Sequence, residues 1–256
     1  MGLRLSAGAI RKLLKEIEQS GAGEHVLAVG GTSELAPVLR QQLLRGRAQT
    51  GAVRLGDPEG ADVYVHVLAG EADDDDLMLL RRAQRARVPV VAVAPRPAAT
   101  IPYVLATDVV WLGVGEEFPL ETIAGAIAAR LGEHGAPLAA RVPLLREPVC
   151  EQLIGSFARK NGLVAAAIWI PGADLPVLAL NELRLVLRLA QAYGFADDVR
   201  DRLPELAATL GAGFGLRAIA RELLDLFPGA GWVLKSAVAY AGTRAVGEGA
   251  RLRFAG

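Results

Sequence analysis

The chain has a single cysteine, Cys150, among its 256 residues. One thiol excludes an internal disulfide framework and a cysteine-based zinc site, and it fits a reducing, cytoplasmic compartment. The three histidines, at positions 25, 66 and 134, are far apart in sequence, and none has a partner at metal-ligand or triad spacing. We therefore expect no metal ion, and we place His66, which lies within an apolar run, in the core.

The sequence also lacks net charge and has few aromatic residues. Lysine plus arginine and aspartate plus glutamate each number 28, so no long-range field attracts nucleic acid, and we expect no such partner. Aromatic residues are 5% of the chain, although hydrophobic residues reach 52%. The apolar mass is thus mostly alanine, leucine and valine, which is typical of helices packed closely through small side chains.

Residues 1–22 predict an N-terminal amphipathic helix. Its apolar residues recur at helical spacing and form one stripe, made of Ile10, Leu13, Leu14 and Ile17. Such a stripe must pack against something. We expect it to pack on the protein itself rather than on a membrane or a partner.

Residues 23–131 predict an α/β domain with a mostly parallel, Rossmann-like sheet of the P-loop type. Short β-branched runs alternate with helical stretches, an order that covers both faces of a parallel sheet. The expected strands are His25–Val29, Ala52–Leu55, Val63–Leu68, Val88–Val93 and Val109–Leu112. The expected helices are Pro37–Leu44, Leu77–Arg87 and Leu120–Leu131.

Residues 132–148 predict a linker, because prolines at 137, 143 and 148 each disfavour helix at the preceding residue. Residues 149–256 have no strand pattern and predict an all-helical domain. Its expected helices are Val149–Ile170, Leu175–Tyr193, Pro204–Phe227 and Trp232 to about Glu248.

A candidate nucleotide site follows the first expected strand. Gly30, Gly31, Thr32 and Ser33 stand between a strand and a helix, the context in which backbone N–H groups cradle phosphate. No register of the phosphate-loop pattern supplies its lysine, and Glu34 adds a negative charge to the first helical turn. We interpret these residues as a vestigial site that now serves as a structural turn, with Thr32 or Ser33 capping the helix.

Asp57 and Gly60 form the second part of this vestigial site. Together they fit the Asp-x-x-Gly element with which GTPases hold magnesium and sense the terminal phosphate. Where a GTPase would read guanine with Asn-Lys-x-Asp, residues 94–97 are Ala-Pro-Arg-Pro and offer no carboxylate. We therefore predict no bound cofactor and no catalytic residue.

An acidic cluster, Glu71 with Asp73 to Asp76, has two interpretations. Clustered carboxylates suit a hard cation such as magnesium or calcium. The same acids stand just before an expected helix whose later turns are rich in arginine, a polarity that stabilises the helix dipole. We favour the start of a helix.

The helical half resembles a family of unknown function that includes the YcjF group and occurs fused to, or encoded beside, Era-like GTPases. The residues that carry the resemblance are Asn161-Gly162-Leu163, Ile170-Pro171-Gly172-Ala173-Asp174, Leu189-Ala190-Gln191-Ala192-Tyr193-Gly194, Phe227-Pro228-Gly229-Ala230-Gly231 and Thr243-Arg244-Ala245-Val246-Gly247. The first half resembles the GTPase partner domain in strand order and in residues 57–63. The resemblance implies a membrane-associated or GTPase-associated role.

We expect a non-enzymatic interaction or scaffold protein: a pseudo-GTPase domain coupled to a helical bundle that docks on a membrane, on a GTPase or on itself. Two alternatives stay open, an NTP-binding GTPase-like protein with an atypical phosphate loop and an integral membrane module. Residues 163–180 are strongly apolar, but Pro171-Gly172 cuts them into pieces too short to cross a bilayer. The expected location is the cytoplasm, with the inner face of the cytoplasmic membrane as the site of any peripheral contact.

Overall fold

The computed structural model describes residues 7–45, 48–96, 100–113, 115–167, 175–195 and 231–255. The chain divides into two compact units. One comprises residues 23–149, and the other combines residues 1–22 with residues 150–256. The N-terminal segment therefore belongs to the same unit as the C-terminal half of the chain.

The unit of residues 23–149 is built on a five-stranded sheet. Its strands are β1 (Leu27–Gly31), β2 (Val53–Leu55), β3 (Val63–Val67), β4 (Val90–Pro95) and β5 (Val109–Leu112). They lie in the order β2-β1-β3-β4-β5, and every neighbouring pair is parallel. The α/β class expected from the alternating pattern is confirmed, and each expected strand is present with its ends no more than two residues from the expected positions.

Three helices follow strands of this sheet: α2 (Leu35–Leu43), α3 (Asp74–Ala86) and α4 (Leu120–Leu131). Leu80 of α3 packs in a core cluster with Tyr64 of β3 and Ala92 of β4. Helix α2 contacts β1, and α4 contacts β3, β4 and β5. Every residue of β3 is buried, so this central strand is covered on both faces, as a parallel sheet requires.

Residues 132–148 are largely helical and mostly buried or half-buried. They contain α5 (Ala136–Arg141), which lies between two short 3-10 turns at Gly132–His134 and Pro143–Leu145. Two of the prolines that predicted a linker stand in the first turn of these elements, Pro137 as the second residue and Pro143 as the first, where the backbone N–H would have no partner within the helix. The prolines therefore begin helical turns here instead of excluding them.

The other unit contains α1 (Ala7–Gly21), α6 (Arg146–Ala167, from residue 150 onward), α7 (Leu175–Ala192) and α8 (Gly231–Ala255). The expected helix Pro204–Phe227 lies outside the described residues. None of the helices in the described parts of the chain combines the length and apolar character that a membrane crossing requires.

Helix α1 packs on α7 of its own unit. Leu13, Leu14 and Ile17 of its apolar stripe are buried, which confirms that the stripe docks on the protein itself. Polar contacts flank this seam. The Arg184 guanidinium of α7 lies 2.9 Å from the Glu16 carboxylate, and the Gln191 side-chain amide donates to the Ile17 carbonyl at 3.1 Å.

Candidate functional site

The turn from Gly30 to Ser33 lies at the carboxyl edge of the sheet, where β1 ends and α2 is about to begin. The strand order reverses between β1 and β3, because β2 lies on one side of β1 and all later strands lie on the other. In open α/β sheets, ligands bind outside the carboxyl ends of the strands at such a switch point. The predicted vestigial site therefore occupies the position in the sheet that a ligand would favour.

The two hydrogen-bond donors of Thr32 are nevertheless used within the sheet. Its backbone N–H donates to the carbonyl of Val67 at 2.9 Å, and its hydroxyl donates to the same oxygen at 3.2 Å. A phosphate loop needs N–H groups that point at the ligand. The Thr32 N–H instead extends the pairing between β1 and β3.

Neither Thr32 nor Ser33 caps α2, which corrects the expectation from the sequence. The residue at the N-cap is Glu34, and its side chain makes no capping hydrogen bond. The Thr32 hydroxyl bonds Val67, whereas the Thr32 carbonyl accepts the Ala36 N–H at 3.0 Å and so begins the helical turn. The Thr32 hydroxyl does not cap the helix because the end of β3 lies beside it and offers the Val67 carbonyl as an acceptor.

Packing explains both glycines of the turn. A Cβ on Gly30 would meet the Tyr64 hydroxyl well inside 3.0 Å, the limit below which real Cβ contacts essentially do not occur, and would lie 3.0 Å from the Gly56 carbonyl. A Cβ on Gly31 would overlap the backbone carbonyl of Val67 in the same way, and the φ of Gly31 is +100°. These two glycines are required by the neighbouring strand, without any ligand.

Asp57 follows β2 in the short connection that leads to β3, residues 56–62. One carboxylate oxygen accepts the Glu59 N–H at 2.9 Å, and the other accepts a hydrogen bond from the Arg82 guanidinium. The Gly56 N–H donates to the Val29 carbonyl at 2.9 Å, which holds the start of this connection against the end of β1. The structure thus brings Asp57 near the Gly30 turn with its carboxylate already paired.

Gly60 lies further along this connection, with a φ of +74°. The chain then returns to the beginning of β1, where the Asp62 N–H donates to the Val26 carbonyl at 2.8 Å. A parallel crossover commonly needs a dozen residues or more. The shortness of this one gives the glycine a structural reason, since a tight bend favours a positive φ.

A buried hydrogen-bonded chain under the Gly30 turn was not predicted from the sequence. The Tyr64 hydroxyl lies 3.0 Å from His66 Nδ1, and His66 Nε2 lies 2.9 Å from an Asp76 carboxylate oxygen. Tyr64 and His66 are fully buried, which confirms the core position expected for His66. The alternation of β3 puts both side chains on one face, but nothing in the sequence relates His66 to Asp76 of α3.

The hydrogen bonds of Tyr64, His66 and Asp76 favour the neutral form of His66. A neutral ring with its proton on Nε2 donates to Asp76 and leaves Nδ1 to accept from Tyr64, so all three groups are satisfied. Burial lowers the pKa of His66 against the opposing effect of the Asp76 charge. Burial and the negative charge of Asp76 together raise the pKa of Tyr64. Tyr64 and His66 use their polar atoms in these hydrogen bonds and are fully buried, so they present no reactive atom to solvent.

The acidic cluster begins α3, as the helix interpretation predicted. The Asp76 N–H donates to the Asp73 carboxylate at 2.9 Å, and the Asp73 N–H donates to the Asp76 carboxylate at 3.2 Å. This is a reciprocal capping box. Within the described ranges, no group of three or more histidine, cysteine, aspartate or glutamate side chains could hold a metal ion.

A second buried polar network joins three helices of the other unit. Asn161 of α6 donates to the Thr243 hydroxyl of α8 at 2.9 Å, and that hydroxyl donates to Glu182 of α7 at 3.1 Å. Asn181 of α7 donates to the Asn161 side-chain oxygen at 2.8 Å. Such a network helps to fix the register of the three helices.

Comparison with known proteins adds no relative to these observations. No protein-family model matches the chain, and neither a curated protein nor a solved structure is significantly similar to it.

Proposed function

We propose that the protein is a non-enzymatic interaction or scaffold protein. In this proposal the α/β unit is a degenerate GTPase-like domain of the P-loop type, coupled to a helical, YcjF-like bundle. The observation that carries it is the use of both Thr32 donors by the Val67 carbonyl. An active phosphate loop would keep the backbone donor for the nucleotide.

The charges around the turn also support loss of nucleotide binding. Asp57, the residue that would bind magnesium, already pairs with Arg82. Glu34 at the N-cap of α2 repels a phosphate at the helix end where it would otherwise be stabilised. Arg96, beyond β4, lies over the Trp111 ring at 5.8 Å from its centroid, in the region where a GTPase would read guanine.

An NTP-binding protein with an atypical loop is the rival, and one observation favours it. The end of β1 and the start of the Asp57 connection lie together at the switch point, because the Gly56 N–H bonds the Val29 carbonyl. A protein that still binds nucleotides would have this placement. A descendant that has lost nucleotide binding would also keep it.

Isothermal titration of the full chain with GTP, GDP and ATP, each with magnesium, separates the two. The proposal expects no binding, and micromolar affinity for any of the three would refute it. If binding is found, Ser33→Glu tests whether the turn holds the phosphate, since Ser33 is exposed and tolerates a longer side chain. Gln41→Glu, an exposed change on α2, is the matched control.

The resemblance of the helical half supports three partners: a GTPase, a second copy of this chain, or the inner face of the cytoplasmic membrane. Light scattering behind size-exclusion chromatography tests self-association. Flotation with anionic phospholipid vesicles tests peripheral binding. A monomer that binds neither vesicles nor an Era-like GTPase would contradict the scaffold role.

A further inference from the structure

A cleft of about 240 Å³ opens at the edge of the sheet opposite the Gly30 turn, near the amino ends of β4 and β5. Its lining combines a small apolar surface with several polar side chains. The apolar residues are Val88, Pro89, Val90, Val104 and Leu105, and the polar residues are Gln84, Arg87, Tyr103, Asp108 and Arg130. Leu105 is 63% exposed, so an apolar group could be buried against it at the mouth.

The polar lining has an excess of hydrogen-bond donors. Among the described residues, the Arg87 guanidinium has no hydrogen-bond or ion-pair partner. The Tyr103 hydroxyl accepts from the Arg81 guanidinium through Nε at 3.2 Å and Nη2 at 3.1 Å, so its own hydrogen remains to be donated. Asp108 is the acid of the lining, and it pairs with Arg130 at 3.3 Å. The side chains therefore leave one net positive charge, on Arg87.

The Tyr103 ring is held in place although its backbone is unfavourable. Tyr103 has a φ of +67° in the turn closed by the Val104 N–H on the Ile101 carbonyl, a position that usually selects glycine. Arg81 lies 5.8 Å from the centre of the ring as well as bonding the hydroxyl. A residue kept in a costly conformation at a cleft is a feature that functional sites share.

The end of α3 does not oppose an anion strongly at this position. Its terminal carbonyls carry partial negative charge, but those of Ala83 and Gln84 already accept the Arg87 N–H, and Ala83 also accepts the Val88 N–H. Two of the four terminal carbonyls are therefore already paired, which lessens the negative potential of the helix end beside Arg87.

We propose that this cleft binds a compact organic anion, a carboxylate that carries one ring or one branched apolar group. The carboxylate bonds Arg87 and the Tyr103 hydroxyl, because a planar guanidinium matches a carboxylate with two parallel hydrogen bonds. The apolar group lies on Val88, Val90 and Leu105. The size is suitable, since benzene fills an apolar cavity of about 150 Å³.

Methyl NMR of the full chain tests this binding with benzoate as the probe. Methyl signals of Val88, Val90 and Leu105 should shift saturably with benzoate in the millimolar range. Benzyl alcohol, the neutral analogue, and inorganic phosphate, the anion without a ring, should each bind at least about fivefold more weakly, because each makes only part of the contacts.

Two variants locate the anion. Arg87→Gln and Tyr103→Phe should each weaken benzoate binding by about fivefold or more, whereas Arg85→Gln, an exposed change on the same helix outside the cleft, should leave it unchanged. The proposal is overturned if no methyl shift saturates, if benzyl alcohol or phosphate binds as well as benzoate, or if Arg87→Gln behaves like Arg85→Gln. Because the cleft is remote from the Gly30 turn, these results are independent of nucleotide binding.

Discussion

The substitution Gly30→Ala tests whether the glycine turn exists for packing. Tyr64 pairs with Ala28 across β1 and β3, and its hydroxyl extends to the space that Gly30 leaves open. That hydroxyl is buried and bonded to His66, so it cannot move aside cheaply. A methyl group at position 30 must displace it.

The expected cost follows from two contributions. Overpacking a buried site costs about 1–3 kcal/mol, and loss of the Tyr64–His66 hydrogen bond adds about 0.5–1.5 kcal/mol. We expect Gly30→Ala to lower the free energy of unfolding by about 2–4 kcal/mol. Gly31→Ala should cost at least as much, because its obstacle is the Val67 backbone and its φ is positive.

The double variant Gly30→Ala/Tyr64→Phe separates packing from any other role of the glycine. Tyr64→Phe removes the displaced hydroxyl, so the alanine should cost about 1–2 kcal/mol less in that background. Rescue stays partial, because Tyr64 Cε2 and the Gly56 carbonyl would still be 3.0 Å from the new Cβ. Gly31→Ala should gain nothing from Tyr64→Phe and serves as the control.

Urea unfolding followed by circular dichroism measures these free energies. Amide exchange in β1 and β3 assigns the change to the α/β unit. If Gly30→Ala costs less than about 0.5 kcal/mol, the range of a neutral surface change, or costs the same in both backgrounds, the packing explanation is refuted.

Three further predictions concern the polar contacts. Burial lowers the pKa of His66 below 6.5, so the unfolded chain binds a proton that the native chain does not. Stability should therefore fall as the pH drops through 6.5, and it should fall less steeply in His66→Gln. The same pH dependence of the free energy of unfolding in both proteins, measured with urea, would contradict this. Thr243→Val should lower the free energy of unfolding by about 1–3 kcal/mol, since it breaks two buried hydrogen bonds, whereas the exposed change Thr122→Val should alter it by less than about 0.5 kcal/mol. Equal shifts of the melting temperature in the two variants would exclude a structural network. Arg82→Gln should change stability by less than about 1 kcal/mol, because its pair with Asp57 is solvent-exposed; a larger loss in urea unfolding would assign that pair a greater role.

The sheet could be predicted from the sequence because its signal is local. β-Branched runs such as Val63–Val67 are buried on both faces, and each sits between turns that the sequence marks. The lack of lysine after Gly30 was equally visible. The helix cap was predicted wrongly, because the bond from Thr32 to Val67 depends on the register of β1 against β3, which no local pattern contains.

The contacts under the turn needed the tertiary structure for the same reason. Tyr64 and His66 share a face by alternation, but their partner Asp76 comes from a helix whose position the sequence does not specify. Residues 132–148 show the opposite error, in which a local rule was applied too broadly. Proline disfavours the helix before it, yet it begins a new helical turn easily, as at Pro137 and Pro143.

Backbone amide NMR at Gly31, Thr32 and Ser33 tests the central claim most directly, that this turn is a structural joint and not a phosphate site. With pyrophosphate or GTP and magnesium at millimolar concentration, we expect no saturable shift at these amides and slow hydrogen exchange at Thr32, whose N–H bonds Val67. A saturable shift centred on Thr32 and Ser33, with rapid exchange of the Thr32 amide in the free protein, would contradict it.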